Sequence, residues 1–259
     1  MPPVADKRQP HATMRNRQQI ATGIPARARE EWFALRALLA RRRKRACPDG
    51  MEAPAAVLIF TPERSGEEML ALLDRLPREV AVLYRCYDED GAAGGMLLRL
   101  ARLCAAQRRL LWVAGGRRQA SGLPLRVKGR HLPAWMMRLP GQAARRRQRL
   151  RPMSAAVHDM GEGRLARRLH VPVLLVSPVF ATASHPHARP LGVYRFARLA
   201  RHLRRADRSR RILALGGMTA GRMRRLRGLA DGFAAIGYWS RLAAAGHAPD
   251  RKPDRPLPS

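Results

Sequence analysis

Lysine and cysteine are both scarce in this chain of 259 residues. Four of the 51 basic residues are lysine, and the rest are arginine. The three cysteines, Cys47, Cys86 and Cys104, show neither a CxxC motif nor the spacing of a metal site. Because an odd number of cysteines argues against a disulfide framework, we expect reduced thiols, as in cytosolic proteins.

Long apolar runs are missing as well. The longest, "VPVLLVSPVF" (171–180), is too short to span a bilayer. The first residues contain no apolar core of a secretory signal peptide. We therefore expect a cytoplasmic protein with no membrane partner.

Acidic side chains are few, with 19 against 51 basic ones and a formal net charge of +32. A charge of this size attracts nucleic acid or another anionic surface without sequence preference. The arginines occur in every segment instead of clustering on one patterned face, which is typical of a general compositional preference. Both interpretations stay open: nonspecific binding of nucleic acid through a basic arm, and a compositional habit without a partner.

Three regions differ in composition. Residues 1–50 are polar and rich in arginine, and residues 247–259 are rich in proline, which predicts a disordered tail. Within the first region, "REEWFALRALLARRRKR" places apolar residues such as Trp32 and Leu35 at helical spacing. We expect a basic N-terminal extension, disordered or partly helical, followed by one globular domain at 51–246.

Short apolar strands alternate with helical segments in the globular region. This order is typical of βαβ units in a parallel sheet that is buried on both faces. Eight strands predict a (β/α)8 TIM barrel rather than an open doubly wound sheet, for which a glycine-rich dinucleotide fingerprint or Walker loop is missing. The eight segments, of which the fourth has the weakest pattern, are "AVLIF" (56–60), "VAVLYR" (80–85), "RLLWVAG" (109–115), "LPLRVKGRHL" (123–132), "MSAAVH" (153–158), "VPVLLVSPVF" (171–180), "RILALGG" (211–217) and "DGFAAIG" (231–237).

Polar residues and glycines follow several of these strands. In a TIM barrel the active site lies at the carboxyl ends of the strands, and phosphate commonly binds after strands 7 and 8. Glycines there let backbone N–H groups approach an anion, although they also suit ordinary helix-entry turns. The candidate site residues at the strand ends are Arg85, Ser154, His158, Thr182, Ser184, His185, Gly216, Gly217, Ile236 and Gly237.

Three segments carry a resemblance to a known family. They are "SAAVHDMGEGRLARRL" (154–169), "VLLVSPVFATASHPHARPLG" (173–192) and "ILALGGMTAGRMRRLRGLADGFAAIG" (212–237). In their order and spacing they resemble thiamine-phosphate synthase and its relative, the thiazole tautomerase. The match is good over residues 150–240, and "VAVLYRCY" and "HLPAWM" resemble earlier family motifs more faintly.

The resemblance implies a TIM-barrel transferase of thiamine biosynthesis. Such an enzyme joins a hydroxymethylpyrimidine diphosphate to a thiazole phosphate and releases pyrophosphate. The resemblance implies that Arg85 contacts the pyrophosphate and that Ser154 lies beside the pyrimidine. It also implies that Thr182, Ser184 and the backbone at Gly217 hold a phosphate group. The expected partners are therefore small phosphorylated heterocycles.

The chain departs from the family pattern on the metal side of the site. The resemblance implies Mg²⁺, which carboxylate and phosphate oxygens hold. The family's Asn-Asp pair is replaced by "VAGG" (113–116), and no Asp follows "RHLPAW" (130–135). Tyr87 and His185 stand where the family carries lysines. We therefore expect no metal ligands from the protein at these positions.

Two alternatives to the synthase function stay open. The tautomerase relative moves a proton on a thiazole carboxylate with a strand-5 histidine and needs no metal, and His158 occupies that place. An imidazole is suited to proton transfer near neutral pH. The other alternative is a catalytically silent phosphate-binding barrel whose basic arm binds nucleic acid. The sequence leaves the oligomeric state open.

Overall fold

Eight parallel strands close into a barrel in the order of the chain, with β8 paired to β1. The computed structural model describes residues 26–42, 53–61, 67–85, 92–114, 127, 129–139, 152–183, 186–206 and 208–245. The predicted (β/α)8 TIM barrel is confirmed. The strands are β1 (Ala56–Phe60), β2 (Val80–Arg85), β3 (Leu111–Ala114), β4 (Gly129–Leu132), β5 (Pro152–Val157), β6 (Val173–Val176), β7 (Arg211–Leu215) and β8 (Gly232–Ala235).

Helices follow most of the strands. A 3₁₀-helix (Arg222–Leu226) lies between β7 and β8, where the segment "TAGRMRRLRGL" (219–229) predicts a longer helix. The segment is short and is bounded by Gly221 and Gly228, so that only one brief 3₁₀ run forms. The α-helices are α1 (Ala26–Arg42), α2 (Glu67–Arg75), α3 (Ala92–Ala106), α4 (Ala134–Met137), α5 (Met160–Arg168), α6 (Gly192–Ala206) and α7 (Gly237–Ala244).

Strand β6 is shorter than the apolar run that predicts it. The run continues to Phe180, but β6 ends at Val176. Pro178 has no amide hydrogen to donate to a neighbouring strand. The amides of Val179 and Phe180 instead donate to the carbonyls of Leu215 and Gly216 at 2.8 and 3.1 Å. This pairing fixes the loop after β6 against the turn after β7.

The strands are buried on both faces, which explains their unbroken apolar sequences. One set of side chains fills the interior of the barrel, and it includes Ile59, Leu83 and Trp112. The alternate set packs outward against the helices, as Leu58 and Phe60 do. The interior of the barrel is therefore a packed core.

Helix α1, which precedes the barrel, packs against this outer layer. Trp32 and Leu35 are almost completely buried in the same cluster as the outward side chains of the strands. Part of the expected extension is therefore a packed helix. Residues 1–25, 43–52 and 246–259 lie outside the described residues, so the predicted domain boundaries and the disordered tail stay predictions.

Among the described residues, no helix is both long and apolar enough to cross a membrane. The expected cytoplasmic location and the open oligomeric state are not tested by this finding.

Candidate functional site

A cavity of about 1240 Å³ opens at the carboxyl ends of the strands. Ser184 and His185 lie outside the described residues, and Ser154 does not line the cavity. The structure thus brings most of the candidate residues into one space, as the barrel requires. The candidates that line it are Arg85, His158, Thr182, Gly216, Gly217, Ile236 and Gly237.

Ser154 lies one layer below the cavity floor. Its side chain is completely buried, whereas Ala156, two residues further along β5, lines the cavity. Residues two apart on a strand share a face, so Ser154 and Ala156 both point inward at different depths. The Ser154 Oγ lies 2.9 Å from Nδ1 of His131, which does line the cavity. Ser154 therefore contacts the site through His131.

His131, at the end of β4, is a functional candidate that the sequence analysis missed. Burial, together with the positive charge of Arg85, lowers the pKa of His131 to about 3. The imidazole is therefore neutral at physiological pH and has one nitrogen engaged by Ser154. The signal in the sequence was the motif "RHLPAW" itself, whose histidine precedes the last residue of a weakly patterned strand.

His158 is oriented by a buried carboxylate. Its Nδ1 lies 2.8 Å from Oε2 of Glu162, and its backbone amide donates to the same oxygen at 2.7 Å. The other oxygen, Oε1, accepts a hydrogen bond from Arg138 at 3.0 Å. The Glu162 amide in turn donates to the Asp159 carboxylate at the start of α5. This arrangement leaves the half-exposed imidazole facing the cavity in a fixed orientation.

The turn after β7 requires glycine at two successive positions. Gly216 and Gly217 have φ of +94° and +59°. A Cβ on Gly216 would lie 2.8 Å from Cα of Pro178, and one on Gly217 would overlap the carbonyl oxygen of Ala181. The turn therefore packs directly against the loop that carries Thr182, and no larger residue fits there.

Arginines dominate the charged side chains of the cavity wall. Among the described residues the wall contains one carboxylate, that of Glu31 on α1, which accepts hydrogen bonds from Thr219 and Gly221. The cavity is therefore strongly electropositive, which favours an anionic ligand. The six arginines are Arg27, Arg85, Arg222, Arg224, Arg225 and Arg241.

The described wall does not fit Mg²⁺. This ion prefers carboxylate oxygens, and the one carboxylate of the wall is already engaged by a hydroxyl and an amide. The described residues contain no group of three or more His, Cys, Asp or Glu side chains that could hold a metal ion. Gly115 and Gly116, which replace the expected ligands, lie outside the described residues.

The eight strands of the barrel lie within the part of the chain that matches a known family. The family model described as thiamine monophosphate synthase matches residues 56–238, which extend from the first residue of β1 into α7. The chain belongs to the thiamine monophosphate synthase family. The resemblance seen in the sequence is thereby confirmed. No curated protein matches the chain in sequence.

A solved structure supports the fold of this thiamine monophosphate synthase family member. Thiamine phosphate pyrophosphorylase from Pyrococcus furiosus is 17% identical, with a TM-score of 0.57, and the match covers 74% of this chain and 93% of that chain. A 4-hydroxy-2-oxoglutarate aldolase also matches, at 14% identity and a TM-score of 0.46, over 74% of this chain and 90% of that chain. At this identity, the likeness to the pyrophosphorylase is one of fold.

Proposed function

We propose that the protein joins a hydroxymethylpyrimidine diphosphate to a thiazole phosphate, giving thiamine phosphate and pyrophosphate. The observation that carries the proposal is that the family match covers the barrel around the cavity. The matched residues 56–238 contain every strand whose end borders it. Two phosphorylated heterocycles also suit the electropositive wall.

In the proposed reaction the C–O bond between the pyrimidine methylene and the diphosphate breaks. The electron pair leaves with pyrophosphate, and the methylene carbon forms a bond to the thiazole nitrogen. Negative charge therefore grows on the leaving group, and a cation positioned there lowers the barrier. Arg85, at the end of β2 on the cavity wall, is the residue to which we assign this role.

The thiazole phosphate is assigned to the opposite strands. Thr182 after β6 and the Gly216–Gly217 turn after β7 face the same cavity. The turn packs against Pro178 and Ala181 of the loop that carries Thr182. A hydroxyl and backbone amides are suitable donors to a phosphate. His131, held neutral and buried beside Arg85, offers the pyrimidine a polar partner without adding charge.

The proposal is tested by incubating the full chain with both substrates and measuring thiamine phosphate and pyrophosphate, with Mg²⁺ and with EDTA. We expect product from the wild type and a loss of about 10²-fold or more in kcat for Arg85→Gln. Arg99→Gln is the matched control, because Arg99 is exposed on α3 and does not line the cavity. Failure to form product in both conditions, together with failure to complement a synthase-null strain, contradicts the proposal.

A second candidate function, that of a thiazole tautomerase, is favoured by the pairing of His158 with Glu162. A histidine oriented by a carboxylate is an arrangement suited to general acid–base chemistry. This function predicts interconversion of thiazole carboxylate isomers that persists in EDTA and is lost in His158→Asn. His170→Asn, an exposed histidine away from the cavity, is the control. Thiamine phosphate synthesis by the His158→Asn variant without isomerisation by the wild type excludes this candidate.

A further inference from the structure

Two arginines of the 3₁₀-helix share one aromatic ring at the edge of the cavity. The guanidinium carbons of Arg222 and Arg225 lie 5.3 and 5.2 Å from the centroid of Phe180. The two residues are three apart, so the 3₁₀ geometry places them on one face of the helix. Both line the cavity, and Phe180 belongs to the loop between β6 and α6.

This pair adjoins the glycine turn. Arg222 donates a hydrogen bond through Nη1 to the carbonyl oxygen of Gly217, and the same nitrogen lies 3.1 Å from the place that a Gly217 Cβ would take. The Phe180 side chain touches the same position. The two guanidinium groups, the Gly216–Gly217 turn and the loop that carries Thr182 therefore form one corner of the cavity.

Neither arginine of this corner forms an ion pair with a carboxylate in the described part of the chain, and Glu31, the carboxylate nearby, bonds Thr219 and the amide of Gly221. The side chain of Arg225 makes no hydrogen bond or ion pair with any described residue, and the guanidinium of Arg222 bonds the backbone carbonyl of Gly217. Two like charges near one ring repel each other. The ring attracts both cations and holds them in position, but it does not neutralise them. An anion of two or more charges would do so.

We propose that Arg222 and Arg225, held on the Phe180 ring, form a binding subsite for a phosphoryl group that needs no metal ion. The planar fork of arginine donates two parallel hydrogen bonds to phosphate oxygens, and two forks match a doubly charged group. The subsite supplies its positive charge from side chains alone. This inference rests on the proposed function for the ligand being a phosphorylated heterocycle.

The test is isothermal titration calorimetry of the full chain with sodium pyrophosphate and with inorganic phosphate, in EDTA and about 0.15 M salt. Salt at this level weakens the nonspecific attraction of the anion to scattered surface arginines. This screening is needed because the net charge of the chain is high. We expect one pyrophosphate per chain. The double variant Arg222→Gln, Arg225→Gln is expected to bind at least about tenfold more weakly, since charged hydrogen bonds are lost.

Two further variants make the test specific. Arg227→Gln is the matched control, because Arg227 is exposed in the same segment and does not line the cavity. Phe180→Leu keeps both charges but removes the ring, and we expect it to weaken binding by a smaller factor than the double variant does. Circular dichroism establishes that each variant is folded.

The subsite is overturned if the folded double variant binds pyrophosphate as tightly as the wild type. It is also overturned if the wild type binds pyrophosphate only when Mg²⁺ is present. The outcome is independent of the reaction. Pyrophosphate binding that depends on the arginines, without any thiamine phosphate synthesis, defeats the proposed function and leaves the subsite standing. If the double variant makes thiamine phosphate as fast as the wild type, the subsite is overturned and the proposed function stands.

Discussion

Glu31 accepts a hydrogen bond from the hydroxyl of Thr219 at 2.9 Å, although 188 residues of chain separate them. Its second oxygen accepts from the amide of Gly221 at 2.9 Å. A Cβ on Gly221 would lie 2.8 Å from the carboxylate, which would then have to shift. One carboxylate thus joins α1 to the turn that follows β7 and forms part of the cavity wall.

Replacing Glu31 with Ala should loosen α1 from the barrel. The change removes two hydrogen bonds to a charged acceptor, and we expect a loss of about 1–2 kcal/mol in the free energy of unfolding. Hydrogen exchange of the α1 amides should accelerate more than that of the strands. Glu30→Ala, on an exposed neighbour in the same helix, is the control. Equal behaviour of the two variants would show that the carboxylate does not anchor the helix.

The apolar face of α1 gives a second, larger effect. Trp32 is 1% exposed, whereas the adjacent Phe33 is 63% exposed. We expect Trp32→Ala to cost about 3–5 kcal/mol, as large-to-small changes in a packed core do. Phe33→Ala should change the stability by less than about 0.5 kcal/mol. Denaturant unfolding of both variants measures the difference. Similar values for the two would mean that α1 is not packed on the barrel.

Lowering the pH should destabilise the protein through His131. The unfolded chain protonates this imidazole near pH 6.5, whereas the folded protein, in which the pKa is about 3, keeps it neutral to much lower pH. Between these values the unfolded state binds more protons, so the stability falls as the pH falls. From pH 7 to pH 5 the contribution is about 2 kcal/mol.

The measurement is urea unfolding at pH 7, 6 and 5 of the wild type and of His131→Gln, which cannot be protonated. The variant should lose less stability over this range than the wild type. His202→Gln, an exposed histidine on α6, should follow the wild type. Parallel curves for the wild type and His131→Gln would rule out a buried neutral imidazole.

Gly217 and Gly95 should respond oppositely to alanine. At Gly217 the positive φ and the contact with Ala181 both oppose a side chain, and we expect Gly217→Ala to cost about 1–3 kcal/mol. Gly95 lies in α3 with nothing within 4 Å of the place that an alanine methyl would take, so Gly95→Ala should add about 0.5–1 kcal/mol. Thermal unfolding compares them. A neutral Gly217→Ala would contradict the close packing of the turn against the β6 loop.

The fold was predictable because the strand pattern is strong and local. Each apolar run is short, and its alternation with helices predicts a parallel barrel. In such a barrel the active site lies at the carboxyl ends of the strands. Arg85 and His158 could therefore be assigned to one space before any contact was known. The depth of a residue below the cavity was not predictable, because Ser154 and Ala156 share a strand face and differ only by one layer.

Other features of the site depend on contacts between distant segments. The pairing of Arg225 with Phe180 joins the segment after β7 to the loop after β6. Among so many arginines, nothing in the sequence distinguishes Arg225 from its neighbour Arg224. The link from Glu31 to Thr219 is of the same kind, since no local pattern relates a helix to a turn so far along the chain.

That link also sets an order of events during synthesis of the protein. At about 5–20 residues per second, Thr219 is made roughly 10–40 s after Glu31. Throughout this interval the turn that receives α1 does not exist, and the face containing Trp32 and Leu35 has no complete surface on which to dock. The first helix to leave the ribosome in the described structure is therefore among the last to reach its place.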